Sequence, residues 1–192
     1  MARSTLSALI DELRGLTDAG PADYNVGTAV FWDDNQLQLV LDRHRRDIFR
    51  EYLQVVPDLV GGGSVQYTQY RSQYDNLEQT DGGTAVLFVE DAAGVNIGTA
   101  TWSADYKQGI VTFAADTRGT AYYMTARTFD LFAAAADVWR VKAGAYAKYY
   151  DFSTDNHSMS RSQWHNQCLA MAKYYDGQKA IRTIEIVRGD LC

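Results

Sequence analysis

The 192-residue chain is 46% hydrophobic and 22% charged, apolar enough to build one packed domain with an insertion and unlike a disordered polymer. Its formal charge of −6 divides into −4 over residues 1–61 (ten acids, six bases), −3 over 62–127 (seven, four) and +1 over 128–192 (seven, eight). That excludes the basic surplus a backbone-gripping nucleic-acid protein needs. No apolar run approaches the roughly 18 residues that span a bilayer, and no basic region with a hydrophobic block opens the chain, so neither membrane insertion nor secretion is expected and a cytosol is the default.

Ser4 or Thr5 can cap a first helix whose Leu6, Leu9, Ile10, Leu13 and Leu16 form one apolar stripe, closed by Gly15 or the turn after it. A helix of about three turns is marginal alone, so this stripe needs cover from the domain or from another chain. Residues 17–30, with Gly20, Pro21 and Gly27, read as a loop. Asp33 with Gln36 makes an acidic capping box, and Phe31 or Trp32 against Leu37 a hydrophobic staple. The spacing predicts a second helix from there to about Leu53, with Leu37, Leu41, His44, Ile48 and Tyr52 on its buried side and Pro57 marking its end. Arg43, Arg45, Arg46 and Arg50 share that helix with Asp42, Asp47 and Glu51, the composition of a solvated, ion-paired face.

Gly61, Gly62, Gly63 and Ser64 change the period. Five segments rich in β-branched and aromatic residues follow: Val65 to Tyr70, Thr84 to Glu90, Asn96 to Trp102, Gly109 to Ala114 and Ala121 to Arg127. Turn-forming residues at 81–83, 92–94, 107–109 and 116–119 let them pair as an antiparallel meander.

From Thr128 to Gly177 the pattern is helical again, in two antiparallel pieces joined at 151–158 by turn-forming Asp, Ser, Thr and Asn. Phe129, Phe132, Ala133, Ala136, Trp139, Ala143, Tyr146 and Tyr150 line the first, whose alanines permit close approach. The second opens at Ser158 or Ser160 with Gln163 as capping partner, carries Trp164, Cys168, Met171, Ala172 and Tyr175 on one side, and stops at Gly177. Leu37, Leu41, Phe132, Trp139, Trp164 and Cys168 are therefore the expected helical core. The fold class expected is α+β, a helical bundle domain from residues 1–60 and 128–180 with an antiparallel β module inserted at 61–127. A tail over 181–192, in which Ile181, Arg182, Ile184, Ile186, Val187 and Arg188 alternate weakly, is a strand with no assigned neighbour and a candidate partner-binding segment, or an added edge of the protein's own sheet.

No catalytic or cofactor constellation stands out. His44, His157 and His165 are scattered, His165 with Cys168 supplies two ligands where a structural zinc wants four, and the glycines at 61–63 lack the lysine of a phosphate loop. Cys168 on an apolar face reads as buried and inert, and with Cys192 gives no disulfide framework. An enzyme, a metal site and a cofactor are thus not expected. Thirteen tyrosines suit either a protein interface or ordinary cross-strand packing.

The N-terminal order of leucine-striped helix, loop, Phe31-Trp32-Asp33-Asp34 and Leu41-Asp42-Arg43-His44-Arg45 resembles the head-tail connector (adaptor) proteins of long-tailed bacteriophages. The run from Asp130 to Trp139, then Tyr150 to Asp155 and Ser160 to Gln163 with the closing helix, is similar to the same proteins, so the resemblance covers roughly two thirds of the chain. It implies a structural virion protein, assembled in the host cytoplasm, forming a ring of usually twelve copies under the portal. Such a ring extends the DNA channel, through which DNA passes without specific binding, and receives a neck or tail-completion protein. The tail would dock on the portal or a neighbouring subunit. Alternatives are a neck or tail-completion protein of the same virion, and a soluble module with a tyrosine-lined ligand pocket.

Overall fold

The computed structural model describes residues 2–20, 25–26, 29–60, 64–147, 152–154, 157–159 and 161–179. A 3-10 turn at Ser4–Leu6 leads into α1 (Ser7–Thr17), which runs through Gly15 instead of ending there. Thr5 caps no helix; its hydroxyl donates to the Thr80 carbonyl at 2.8 Å, far along the chain. After the short pair β1 (Asn25–Val26) and β2 (Ala29–Val30), the Asp33 carboxylate accepts from Gln36 N at 2.8 Å and starts α2 (Asp34–Arg43). Asp130 does the same for α3 (Leu131–Tyr146), accepting from Ala133 N at 2.9 Å. The α4 helix (Arg161–Asp176) closes the fold, and the Gly177 amide donates to the Lys173 and Tyr174 carbonyls at its end.

These four helices bury one apolar cluster. Leu6, Leu9, Ile10 and Leu13 of the first turns meet Trp32, Leu37, Val40 and Leu41, with Leu131, Ala134, Ala135 and Val138 completing it. The helical pieces at the two ends of the sequence thus share one core. Each fully buried leucine contributes about 2 kcal/mol relative to exposure, and the alanines let α3 lie close to its neighbours.

Between α2 and α3 lie β3 (Arg45–Tyr52), β4 (Gln54–Val60), β5 (Ser64–Arg71), β6 (Thr80–Asp81), β7 (Thr84–Ala85), β8 (Phe88–Glu90), β9 (Trp102–Asp105), β10 (Ile110–Phe113) and β11 (Tyr123–Phe129). They form a four-stranded sheet in the order β4-β5-β10-β9, a three-stranded sheet in the order β3-β11-β8, and the β6-β7 hairpin, all antiparallel. A further ribbon, β12 (Phe152–Thr154) with β13 (His157–Met159), joins α3 to α4. Ile48, Val89, Met124 and Ala126 from the three-stranded sheet and Tyr70, Val111 and Phe113 from the four-stranded sheet form a second core. The fold is α+β with antiparallel sheets, as the pattern implied.

Three expectations are corrected. The β segments do not pair as one meander of sequence neighbours: β5 pairs with β10, and β11 with β3 and β8, so they divide between two sheets. The second helix ends at Arg43, not Leu53, and residues 45–60 are strands. Arg45, Arg46 and Arg50 therefore sit on a sheet edge, Ile48 belongs to the β core, and Tyr52 is 49% exposed. Asn96 to Trp102 is not a strand: Asn96 makes one isolated bridge to Glu90, residues 99–101 form a 3-10 turn, and pairing begins at Trp102.

The β9-β10 turn has the tightest steric requirement. Gly109 has φ +66°, its N–H donates to Asp105 O at 2.9 Å, and a Cβ placed there would lie 2.0 Å from the Tyr74 carbonyl. Gly109→Ala combines left-handed strain with a backbone collision, so a loss of about 2 kcal/mol or more is expected in urea unfolding. Gly15→Ala, on an exposed helix position with open space around its Cβ, is expected to gain up to about 1 kcal/mol.

Candidate interaction surfaces

Folding brings Arg3, just before the first 3-10 turn, and Arg127, on β11, to the same buried carboxylate. Glu78 has no exposed side-chain surface; Arg127 Nη1 donates to its Oε2 at 3.0 Å, and Arg3 Nε lies 3.0 Å from its Oε1 as a charge contact without hydrogen-bond alignment. Arg3 also donates to Asp42 of α2 at 2.6 Å, and Arg127 to Asp81 at 2.7 Å and Asp47 at 3.1 Å. The helical layer, β3, β6 and β11 are thereby joined through one charge cluster. Burial pushes the Glu78 carboxyl above its ordinary value, against the pull of both guanidiniums; the exposed Asp81 carboxyl, hydrogen-bonded to Arg127, is held below its own. The two directions are compatible, because Glu78 loses water that Asp81 keeps.

Three groups from the last two helices converge on the end of α1. Lys142, 3% exposed, donates to the Thr17 and Asp18 carbonyls at 2.7 and 2.9 Å. The Tyr175 hydroxyl and Trp139 Nε1 donate to the Leu16 carbonyl at 3.0 and 3.4 Å. A cation at a helix C-terminus meets the negative end of its dipole, and here it also supplies carbonyls that the helix leaves unpaired.

At the seam between helices and sheets lies a cavity of about 180 Å³ lined by His44, Arg46, Tyr74, Asn76 and Phe132 among others. Its polar groups are engaged in tethering. His44 Nε2 is 2.8 Å from Asp137 Oδ2, the Arg46 guanidinium sits 4.8 Å above the Tyr74 ring centre, and the Thr128 hydroxyl donates to the Asp75 carbonyl. Among the described residues no group of three or more His, Cys, Asp or Glu side chains could hold a metal ion, and no helix is long and apolar enough to cross a membrane.

The expected core residues divide. Leu37 and Leu41 are fully buried, Cys168 is 2% exposed and Trp139 packs against the helical cluster. Phe132 and Trp164 are corrected to surface positions, 38% and 55% exposed. Phe132 stacks on Tyr175 at the cavity rim and Trp164 on Tyr146 near the end of α3, so each covers the hairpin from outside. Ile181, Arg182, Ile184, Ile186, Val187 and Arg188 lie outside the described residues. These tyrosines take the packing role: Tyr70 and Tyr122 pack with Phe113 in the β core, and Tyr52 and Tyr123 meet edge-on as a cross-strand pair between β3 and β11. No family model, curated protein or solved structure matches this chain.

The surfaces left open are apolar and poorly charged. From Gln54 to Tyr70 the β4-β5 hairpin carries one formal charge, Asp58, while Leu59, Val65, Val56 and Val60 are 74, 45, 37 and 37% exposed. The β4 edge is guarded only at its middle, by Pro57, Asp58 and the register irregularity between Val56 and Asp58. Around the bend of β3, where the register to β11 skips between Met124 and Ala126, Arg50 adopts φ +47° and Phe49 is 81% exposed. Sequence reasoning missed Phe49 because a residue thought to be helical was in fact on a bulge.

Glu78→Ala leaves Arg3 and Arg127 facing a buried void and is expected to cost about 3 kcal/mol or more in urea unfolding, whereas replacing Glu78 and Arg127 together by leucine and methionine should recover much of that. A second expectation concerns acid. Asp176 accepts from Arg140, which holds its carboxyl below the ordinary 3.8; a depressed folded value means stability present above pH 3.8 and lost as pH falls through the lower folded value. The stability gap between the native chain and Asp176→Asn should therefore be full at pH 7 and close in strong acid.

Proposed function

We propose that this chain is a structural virion protein of the head-tail connector class, forming a ring under the portal that joins a phage capsid to its neck or tail. The observation that carries the reading is the single helical core assembled from both ends of the sequence. Leu37 and Leu41 of α2 pack with Leu131, Ala135 and Val138 of α3, across eighty-odd residues of sheet-forming chain. These are the same stretches whose residues resemble the adaptor proteins. A rigid helical wedge with the sheets rooted in it suits a subunit that tiles around a pore, and the acidic balance of residues 1–127 suits a channel through which DNA must slide without sticking.

On this reading the β body is the part that meets other virion components, and the sparsely charged β4-β5 hairpin offers it exposed Leu59, Val65, Val56 and Val60. The segment from Ile181 onward docks on the portal or a neighbouring subunit, its β-branched residues adding a strand to an open edge. The ligand-binding alternative has less support, because Tyr70 and Tyr122 fill the β core instead of lining a cavity.

The chain, labelled at the β4-β5 hairpin, is expected to appear in electron micrographs at one vertex of DNA-filled particles, and to bind portal-bearing capsids in solution. Label over the whole capsid or along the tail tube would end the connector reading. Removing residues 180–192 should reduce capsid attachment at least tenfold while leaving the urea midpoint unchanged; full attachment without them would remove the docking role of the tail.

A further inference from the structure

The outer arc of α4 is unusual for an exposed helix. Between Gln163 and Tyr174 the only formal charge is Lys173. Leu169 and Tyr174 are 44% and 58% exposed, Ala170 is exposed between them, and Trp164 lies at the margin. The buried side of the helix, Cys168, Ala172 and Tyr175, already faces the rest of the chain. A solvated helix face normally alternates charges; this one sets Leu169, Ala170 and Tyr174 among the uncharged Gln163, Asn166 and Gln167, with Lys173 its one cation.

The opposite character appears on α1. Ala8, Asp11 and Gly15 recur at three- and four-residue steps along its exposed side, with Ser7 beside them, Ser4 in the 3-10 turn before the helix and Asp18 at its cap. All are small or acidic, and neither aspartate has an ion pair among the described residues. Gly15 is placed where a Cβ would meet nothing within 4 Å, and it has an ordinary helical conformation. A mid-helix glycine costs stability that nothing inside this chain requires. The missing side chain leaves room on this arc for close approach from outside.

Inside one molecule these faces cannot meet. The α3 helix packs against α1 on one side and α4 on another, and the anchors at Leu16, Thr17 and Asp18 hold α1 and α4 with their outer arcs directed away from it. We infer that a second copy of this chain docks on the outer arc of α4 through the small, acidic arc of its α1, with Leu169 and Tyr174 of one copy over Ala8 and Gly15 of the next and Lys173 facing Asp11. The occupant is specified by charge and by shape: a cationic, bulky arc is complementary to an anionic, narrow one carried by the same sequence. Because the two arcs differ, the contact is heterologous and propagates from copy to copy, closing into a ring when the rotation permits. This inference deepens the ring reading above and rests on it.

The test uses full-length chain with Cys192 replaced by serine. Ala8→Cys and Ala170→Cys proteins, each exposed and away from either core, are oxidised singly, mixed, and combined in one chain, both free in solution and on portal-bearing capsids. A dimer in the mixture that neither single variant forms, and a ladder from the double variant, are expected. A dimer from Ala170→Cys alone would show a self-pairing α4 contact and overturn the inference, as would the absence of any cross-link in both settings. A ladder without capsid attachment would keep this interface and remove the connector reading; attachment without a ladder would do the reverse. Lys173→Glu is expected to weaken association about fivefold, the size of one exposed ion pair, and Asp11→Lys to restore it. Gly15→Leu should abolish the ladder while leaving the urea midpoint unchanged or higher; a ladder undiminished by Gly15→Leu would also refute the proposed packing.

Discussion

The orientation of the helical layer on the sheets depends on one buried carboxylate. Glu78 is out of water and held between Arg3, from the first residues, and Arg127, on β11. Along the same strand Met124 and Ala126 face the β core, while Arg127 and Phe129, on the opposite side, meet the Glu78 cluster and the helical core. A slip of one residue in β11 would exchange the two faces, carrying Arg127 toward the β core and Met124 and Ala126 toward the helical layer. An apolar plug at position 78 could contribute as much stability, since buried ion pairs return little beyond their desolvation cost. What the charges add is direction, because only one placement of the helices satisfies both guanidiniums and brings Asp42, Asp47 and Asp81 within reach.

Much of this architecture was legible in local pattern. The stripe on α1, the Asp33 cap, the strands at 65–70 and 110–113 and the stop at Gly177 each follow from signals within a few residues. The reading of 45–52 as helix failed for a physical reason. The bulge at Phe49 and Arg50 makes the inward residues of β3 fall at Ile48 and then Glu51, opposite Ala126 and Met124. That three-residue step imitates a helical period, and the charges around it are compatible with a helix surface. Only the pairing with β11, nearly eighty positions away, decides the matter. Phe132 and Trp164 were assigned inward for a related reason: a wide apolar arc predicts which side of a helix is covered, not where the cover ends. The Glu78 cluster had no signal at all, being assembled from contacts that span 39 to 80 positions.

Burial of Lys142 shows how the helices exchange support. Its ammonium replaces water with the carbonyls of Thr17, the last residue of α1, and its cap Asp18, and with the face of Trp139, 4.8 Å from the ring centre. The end of α1, where Asp18 turns left-handed at φ +51°, is fixed by α3 rather than by its own residues. Short helices of this kind are rigid because of what packs on them, not because of propensity. The same anchoring means that α1 has no freedom to rotate its small acidic arc toward its own chain.

Rigidity of this sort bears on assembly. A subunit that orders its surface only on contact spends part of the interaction energy on that ordering. Here α1 is clamped at its C-terminus by Lys142 and Tyr175 and near its N-terminus by the Arg3 cluster, so both ends of the arc are positioned before any neighbour arrives. A modest contact between two preset helix faces can then hold a ring together, because each copy is retained by two neighbours and no single pair has to be strong. On the proposed connector reading, weak pairwise contact with strong closure favours assembly where a portal presents the first partner.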